Sequence, residues 1–144
     1  MVKKILFMTL LILLFTMVFG LEYNFLAAGV SALGSLAGAL AGENLAPAII
    51  ILEAKAGIID EDELMSPFST TLYDAIDQGR ILGATLGGIA VKYLFFEKPD
   101  PGKIILDFAL GYAGAALISN LSEGIIRDFF AIPTVEGLIF GIVW

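Results

Sequence analysis

The chain has 144 residues, a formal net charge of −7, 58% hydrophobic residues, and neither cysteine nor histidine. The acidic balance argues against a nucleic-acid-binding protein, which would carry a basic surface. Without histidine or cysteine, the chain lacks the commonest general base, the commonest metal ligand and the thiol nucleophile. The composition therefore favours a membrane protein that is not an enzyme and has no catalytic, cofactor-binding or metal-binding residues.

Residues 1–20 have the pattern of a secretory signal peptide. Lys3 and Lys4 form a positive start, residues 5–19 are apolar throughout, and Val18 and Gly20 provide the small residues that precede a cut. The apolar run is shorter than the ~20 residues that span a bilayer, which favours cleavage over an uncleaved anchor helix. We therefore predict export to a membrane of the cell envelope and one helical domain over residues 21–144.

The first predicted helix of the mature chain runs from Phe25 to Gly42, with Asn24 as its N-cap. It carries no charge, and at a 1.5 Å rise per residue its length is roughly 27 Å, close to the thickness of a bilayer core. Glycines that are four residues apart lie on one face of a helix. This first glycine row consists of Gly34, Gly38 and Gly42.

Residues 43–66 are predicted to connect two helices. Glu43-Asn44 ends the first helix, and a short apolar piece from Pro47 to Ala56 fits either a helix or a strand. An acidic loop follows over residues 57–66. Its four consecutive acids favour a solvated loop over a calcium site, because a calcium loop needs alternating ligands and a glycine turn.

The second predicted helix runs from Pro67 to Phe96. Its first half is polar, with an expected ion pair between Asp77 and Arg80, and Lys92 is interpreted as a lysine that reaches back to the membrane surface. Its apolar half carries a second glycine row, which consists of Gly79, Gly83 and Gly87.

A third helix is predicted from Lys103 to Ser119, antiparallel to the second because only the short turn EKPDPG separates them. Gly111 and Gly114 provide small packing positions on it. Asp107 is the candidate functional charge within the membrane, since ionisable residues in apolar helices are often functional. The alternative interpretation, which we favour, is a shallow interfacial residue paired with Lys103.

The tail from Val135 to Trp144 leaves two architectures open. Leu138, Phe140, Ile142 and Trp144 alternate with other residues and end on an aromatic, as in the last strand of an outer-membrane β-barrel. The long apolar stretches of the first and third helices do not alternate. The predicted fold class is therefore all-α, a small membrane-embedded helical bundle, with the outer-membrane β-barrel as its alternative.

The two glycine rows resemble the glycine-zipper motif of membrane proteins. That resemblance implies close helix packing and self-association, and it brings no catalytic residue with it. We predict a structural or assembly protein of the membrane, whose partners are the lipid bilayer and further copies of the chain. Two other functions stay open: an oligomeric pore or channel, and a secreted soluble helical bundle.

Overall fold

The computed structural model describes residues 7, 9–11, 14, 22–60, 62, 70–121, 124 and 127–143. In this part of the chain, two short strands flank a set of helices. The elements in chain order are β1 (Glu22–Tyr23), α1 (Phe25–Lys55), α2 (Thr70–Phe95), α3 (Pro101–Leu121), a π-helical turn (Arg127–Ala131), α4 (Ile132–Phe140) and β2 (Ile142–Val143). The predicted all-α class is confirmed, and the described residues form no β-barrel.

The four α-helices pack as a ring in which consecutive helices are antiparallel. α1 contacts α2 and α4, and α3 contacts the same two helices from the other side. The ring is closed at one end by β1 and β2, which pair antiparallel with Glu22 opposite Val143. Beside this pair, the backbone N–H of Asn24 donates to the carbonyl of Gly141 at 2.8 Å. The start of α1 and the end of α4 therefore lie together.

α1 begins as predicted but is longer than predicted. The side chain of Asn24 accepts hydrogen bonds from the N–H groups of Leu26 and Ala27 at 3.0 Å, which confirms the N-cap. The helix does not end at Glu43-Asn44 but continues to Lys55, and Glu43 pairs with Arg80 of α2 at 3.2 Å. Pro47 lies inside the helix, which loses one backbone hydrogen bond there.

One further boundary differs from the sequence prediction. α3 begins at Pro101 rather than at Lys103, because a proline needs no hydrogen-bond partner in a first turn. Pro133 likewise stands in the first turn of α4. α1 ends beside Gly57, whose φ of 74° favours glycine. Most of the predicted signal peptide, and positions 61 and 63–69, lie outside the described residues.

On α1 and α3 the buried face consists mainly of small and polar side chains, and most large apolar side chains lie outside. α1 buries alanine and serine, including Ser31 and Ser35, while Leu33 is 67% exposed. α3 buries Asp107, Gly111 and Gly114 and exposes its leucines. Large apolar residues enter the core mainly from α4, whose Ile132, Val135 and Phe140 are fully buried.

Candidate functional site

The two glycine rows face each other across the contact between α1 and α2. A Cβ atom at Gly38 would overlap the carbonyl oxygen of Gly83, and one at Gly42 would overlap that of Gly79. At the third level, a Cβ atom at Gly34 would lie 2.7 Å from the carbonyl oxygen of Gly87. Seen from α2, Cβ atoms at Gly79, Gly83 and Gly87 would likewise overlap the carbonyl oxygens of the α1 glycines opposite them. The two backbones therefore meet at a separation that leaves no room for a side chain.

The glycines of α3 make room for α4. A Cβ atom at Gly111 would lie 2.6 Å from the ring of Phe140, and one at Gly114 would lie 2.6 Å from Ile139. On its opposite side α4 presents its own Gly137, where a Cβ atom would lie 2.5 Å from the carbonyl oxygen of Ala28. α4 is therefore held between α1 and α3 at positions where both neighbours are small.

A buried ion pair joins α2 to α3 near the strands. The Lys92 ammonium lies 2.8 Å from the Asp107 carboxylate, and both side chains are fully buried. Asp107 also accepts a hydrogen bond from the Tyr93 hydroxyl at 2.7 Å. Lys92 donates to the carbonyl of Ile142 at 2.7 Å, so the same cation binds β2. Glu97, 3.5 Å from Lys92, completes the cluster.

This geometry corrects one interpretation from the sequence and adds a partner to another. Asp107 is fully enclosed by the bundle, and its carboxylate forms a salt bridge with Lys92 of α2. Lys92 does not reach outward to a membrane surface, because its ammonium group has no exposure. Sequence spacing could not reveal the pair, since the two residues belong to different helices.

A second ionic cluster lies further along α2. Arg80 binds Asp77 at 2.9 Å, which confirms the expected pair, and it also binds Glu43 of α1 and Asp128 of the π-helical turn. Arg127 binds the same two aspartates, at 3.2 Å to Asp77 and 2.6 Å to Asp128. The side chain of Arg80 is only 9% exposed. The cluster joins α1, α2 and the π-helical turn. Its charged groups pair with one another and do not line an open pocket.

Between the two ionic clusters lies a buried carboxyl group. Glu136 of α4 is fully buried, and its Oε1 lies 2.7 Å from the hydroxyl of Thr85. Its Oε2 has no hydrogen-bond partner among the described residues. α4 has nine residues and lies outside the two candidate membrane spans. Burial raises the pKa of Glu136 to about 8, against a smaller opposing effect of the Thr85 hydroxyl.

The remaining polar candidates do not form a site with these groups. Tyr73 and Asp74 are exposed at the start of α2. Ser31 and Ser35 are buried in the packing of α1, and their hydroxyl groups have no hydrogen-bond partner among the described residues. In the described part of the chain, no group of three acidic, histidine or cysteine residues is arranged to hold a metal ion.

An apolar groove of about 600 Å³ runs along the outer side of the α1–α2 contact. The glycine rows form its floor, because they leave no side chain between the two helices. Its walls carry alanine, leucine and isoleucine, among them Leu45, Ile49, Leu82 and Leu86. Such a surface suits an apolar chain or a second helix rather than a polar substrate.

Comparison with protein-family models, curated proteins and solved structures finds no match for this chain. Its function must therefore be argued from its own geometry. The sequence analysis missed Glu136 as a member of the interior. A signal was available, because Ile132, Val135, Glu136, Ile139 and Phe140 repeat at the spacing of one helix face. The alternation of the last residues concealed that periodicity.

Proposed function

We propose that the protein is a non-enzymatic structural or assembly protein of a lipid bilayer, whose glycine-faced helices pack closely together. The observation that carries the proposal is the distribution of side chains in α1 and α3. Both helices are long and apolar enough to cross a membrane, yet only 22% and 28% of their most apolar windows are buried within the bundle. The core helix of a soluble protein would be mostly buried.

The energetics of the exposed surface support a bilayer as the surrounding solvent. Leu33 of α1 and Ile105 of α3 are more than two-thirds exposed, at 67% and 69%. In water each Å² of exposed apolar surface costs about 25 cal/mol, and continuous apolar faces lead to aggregation. In lipid that cost disappears. Helix association then depends on close packing and on polar groups turned inward, as at the glycine rows and at Asp107.

Self-association is the second part of the proposal. Within one chain the two glycine rows occupy each other, so copies of the chain would meet at another surface. The groove beside the rows favours this, since its apolar walls would accept a helix of a second copy. An oligomeric pore is the alternative function, with the buried ionic groups near its path.

Fractionation tests the central proposal. The protein should remain in the membrane pellet after alkaline carbonate and should float with liposomes after reconstitution. Recovery in the carbonate supernatant would support the secreted soluble bundle instead. N-terminal sequencing of the same fraction tests the predicted cut before Leu21.

A second pair of measurements separates assembly from pore formation. Crosslinking in liposomes should yield discrete oligomers without release of an entrapped dye. Dye release that depends on protein concentration would favour the pore. A lone monomer in the crosslinking experiment would contradict self-association and leave the membrane-embedded bundle to be judged by fractionation.

A further inference from the structure

The contact between Glu136 and Thr85 depends on whether the Glu136 carboxyl group is protonated, because a neutral acid can donate a hydrogen bond and an ionised carboxylate can only accept one. The hydroxyl oxygen of Thr85 lies 2.7 Å from Glu136 Oε1 and 3.1 Å from the carbonyl oxygen of Ile81. A hydroxyl group has one hydrogen to donate. The carbonyl of Ile81 only accepts. Two separate, linear hydrogen bonds therefore require that the second hydrogen comes from Glu136, whereas an ionised Glu136 would have to share the one hydroxyl hydrogen with Ile81.

The other carboxyl oxygen faces an apolar wall. Oε2 of Glu136 has no hydrogen-bond partner among the described residues. The nearest wall of α3 is Gly111, where a Cβ atom would lie 3.2 Å from this oxygen and 2.6 Å from the ring of Phe140. A bare oxygen of an ionised carboxylate is costly in such surroundings. The carbonyl oxygen of a neutral acid costs much less.

The charged and titratable groups of the neighbouring elements are engaged with one another. On α2, Arg80 binds carboxylates at one end and Lys92 binds Asp107 of α3 at the other. In the π-helical turn, Arg127 binds Asp77 and Asp128. Tyr93 and Tyr112 donate to Asp107 and Gln78. Tyr23 of β1 faces Gly141, and the α1 surface under Gly137 consists of Ala28 and Ala32, without a titratable group.

We infer that Glu136 is a proton-binding site, which holds its proton on Oε1 and donates it to Thr85, whose own hydroxyl donates to the carbonyl of Ile81. This inference goes beyond the structural function proposed above. Because Glu136 belongs to α4, and Thr85 and Gly111 belong to α2 and α3, loss of the proton places an unpaired charge between three helices. The docking of α4 therefore depends on the bound proton.

Infrared spectroscopy of the purified protein in detergent tests the inference at neutral pH. The parent should show a carboxylic-acid carbonyl band that disappears in Glu136→Gln and persists in Glu22→Gln, whose side chain is exposed. A difference spectrum in which Glu136→Gln instead loses a carboxylate band would overturn it.

Three variants distinguish the bound proton from packing alone. Glu136→Gln keeps a donor for Thr85 and no charge, so its melting temperature should equal that of the parent near pH 4 and exceed it at pH 7. Thr85→Ser keeps the hydroxyl and should retain the acid band, whereas Thr85→Val removes the acceptor and should shift the band to a non-hydrogen-bonded position. A band that is unaltered in Thr85→Val would contradict the proposed hydrogen-bond chain.

Discussion

The α1–α2 contact and the α2–α3 contact hold helices together by different means. Between α1 and α2, the glycine rows bring backbone against backbone, and the one ion pair, Arg80 to Glu43, lies at the end of the rows. Between α2 and α3, side chains reach across: Lys92 and Tyr93 bind Asp107, and Tyr112 donates to Gln78 at 2.7 Å. One contact depends on the absence of side chains, and the other depends on their charge.

The difference shows how a bundle with an apolar exterior acquires a defined structure. In lipid, burial of leucine provides little drive for helix association, because the surroundings are as apolar as the leucine. Close approach maximises dispersion contacts between α1 and α2. Polar bonds between α2 and α3 fix which residues face each other, since a mispaired charge in an apolar interior is costly.

Breaking the ion pair should have the largest effect. Lys92→Met leaves the Asp107 carboxylate buried without its cation and should destabilise the protein by ~3–5 kcal/mol. The double variant Lys92→Met/Asp107→Asn removes both charges and should recover a substantial part of that loss. Thermal or denaturant unfolding in detergent measures both. The single variant Asp107→Asn completes the comparison. If the double variant loses as much stability as Lys92→Met and Asp107→Asn combined, the two residues do not interact directly.

Filling the glycine contact should have the next largest effect. Gly38→Ala places a methyl group against the carbonyl of Gly83, and the helices must separate, at a cost of ~1–3 kcal/mol. Gly29→Ala on the same helix is the matched control, because a Cβ atom there meets nothing within 4 Å. The control should gain up to about 1 kcal/mol from helix propensity. Equal melting temperatures of the two variants, both above the parent, would exclude close packing as the role of Gly38.

Titration of Glu136 should have the smallest effect per step, because the loss of stability is spread over several pH units. The pKa of Glu136 is raised from 4.5 to about 8, so the folded state holds a proton that the unfolded chain has released. Stability should therefore be greatest below pH 4.5 as far as this group is concerned, and should fall by about 1.4 kcal/mol per pH unit until pH 8. Glu136→Gln should remove this slope, and Glu22→Gln should retain it. The free energy of unfolding of both variants and of the parent, measured at a series of pH values, tests this difference in slope.

Local signals in the sequence predicted the helices better than they predicted their partners. Asn24 indicated the start of α1, and the turn EKPDPG indicated antiparallel neighbours, because capping and turn chemistry act within a few residues. The spacing of Gly34, Gly38 and Gly42 placed them on one face. Periodicity cannot say what a face contacts, and the opposing row could equally belong to another copy of the chain.

The errors arose where a distant contact overrides a local preference. Glu43 was interpreted as a helix end, but its carboxylate binds Arg80 and the helix continues to Lys55. The spacing of Asp107 indicated Lys103 and gave no sign of Lys92, its buried partner on another helix. Glu136 was overlooked because the alternation of the last residues concealed the helical spacing of α4, and its contact with Thr85 lies on another helix. Such contacts are properties of the tertiary structure and leave little trace in the order of residues.

Solvent accessibility along α1 and α3 tests the central claim, that large apolar side chains face lipid. The sequence has no cysteine, so single cysteines at Leu33, Leu110 and Lys98 can each carry a nitroxide label in reconstituted liposomes. If these faces meet lipid, the labels at Leu33→Cys and Leu110→Cys should be relaxed strongly by dissolved oxygen and weakly by a water-soluble nickel complex, and the label at Lys98→Cys in the turn should show the opposite. Strong relaxation by nickel at all three positions would show that these faces meet water and would contradict a membrane-embedded bundle.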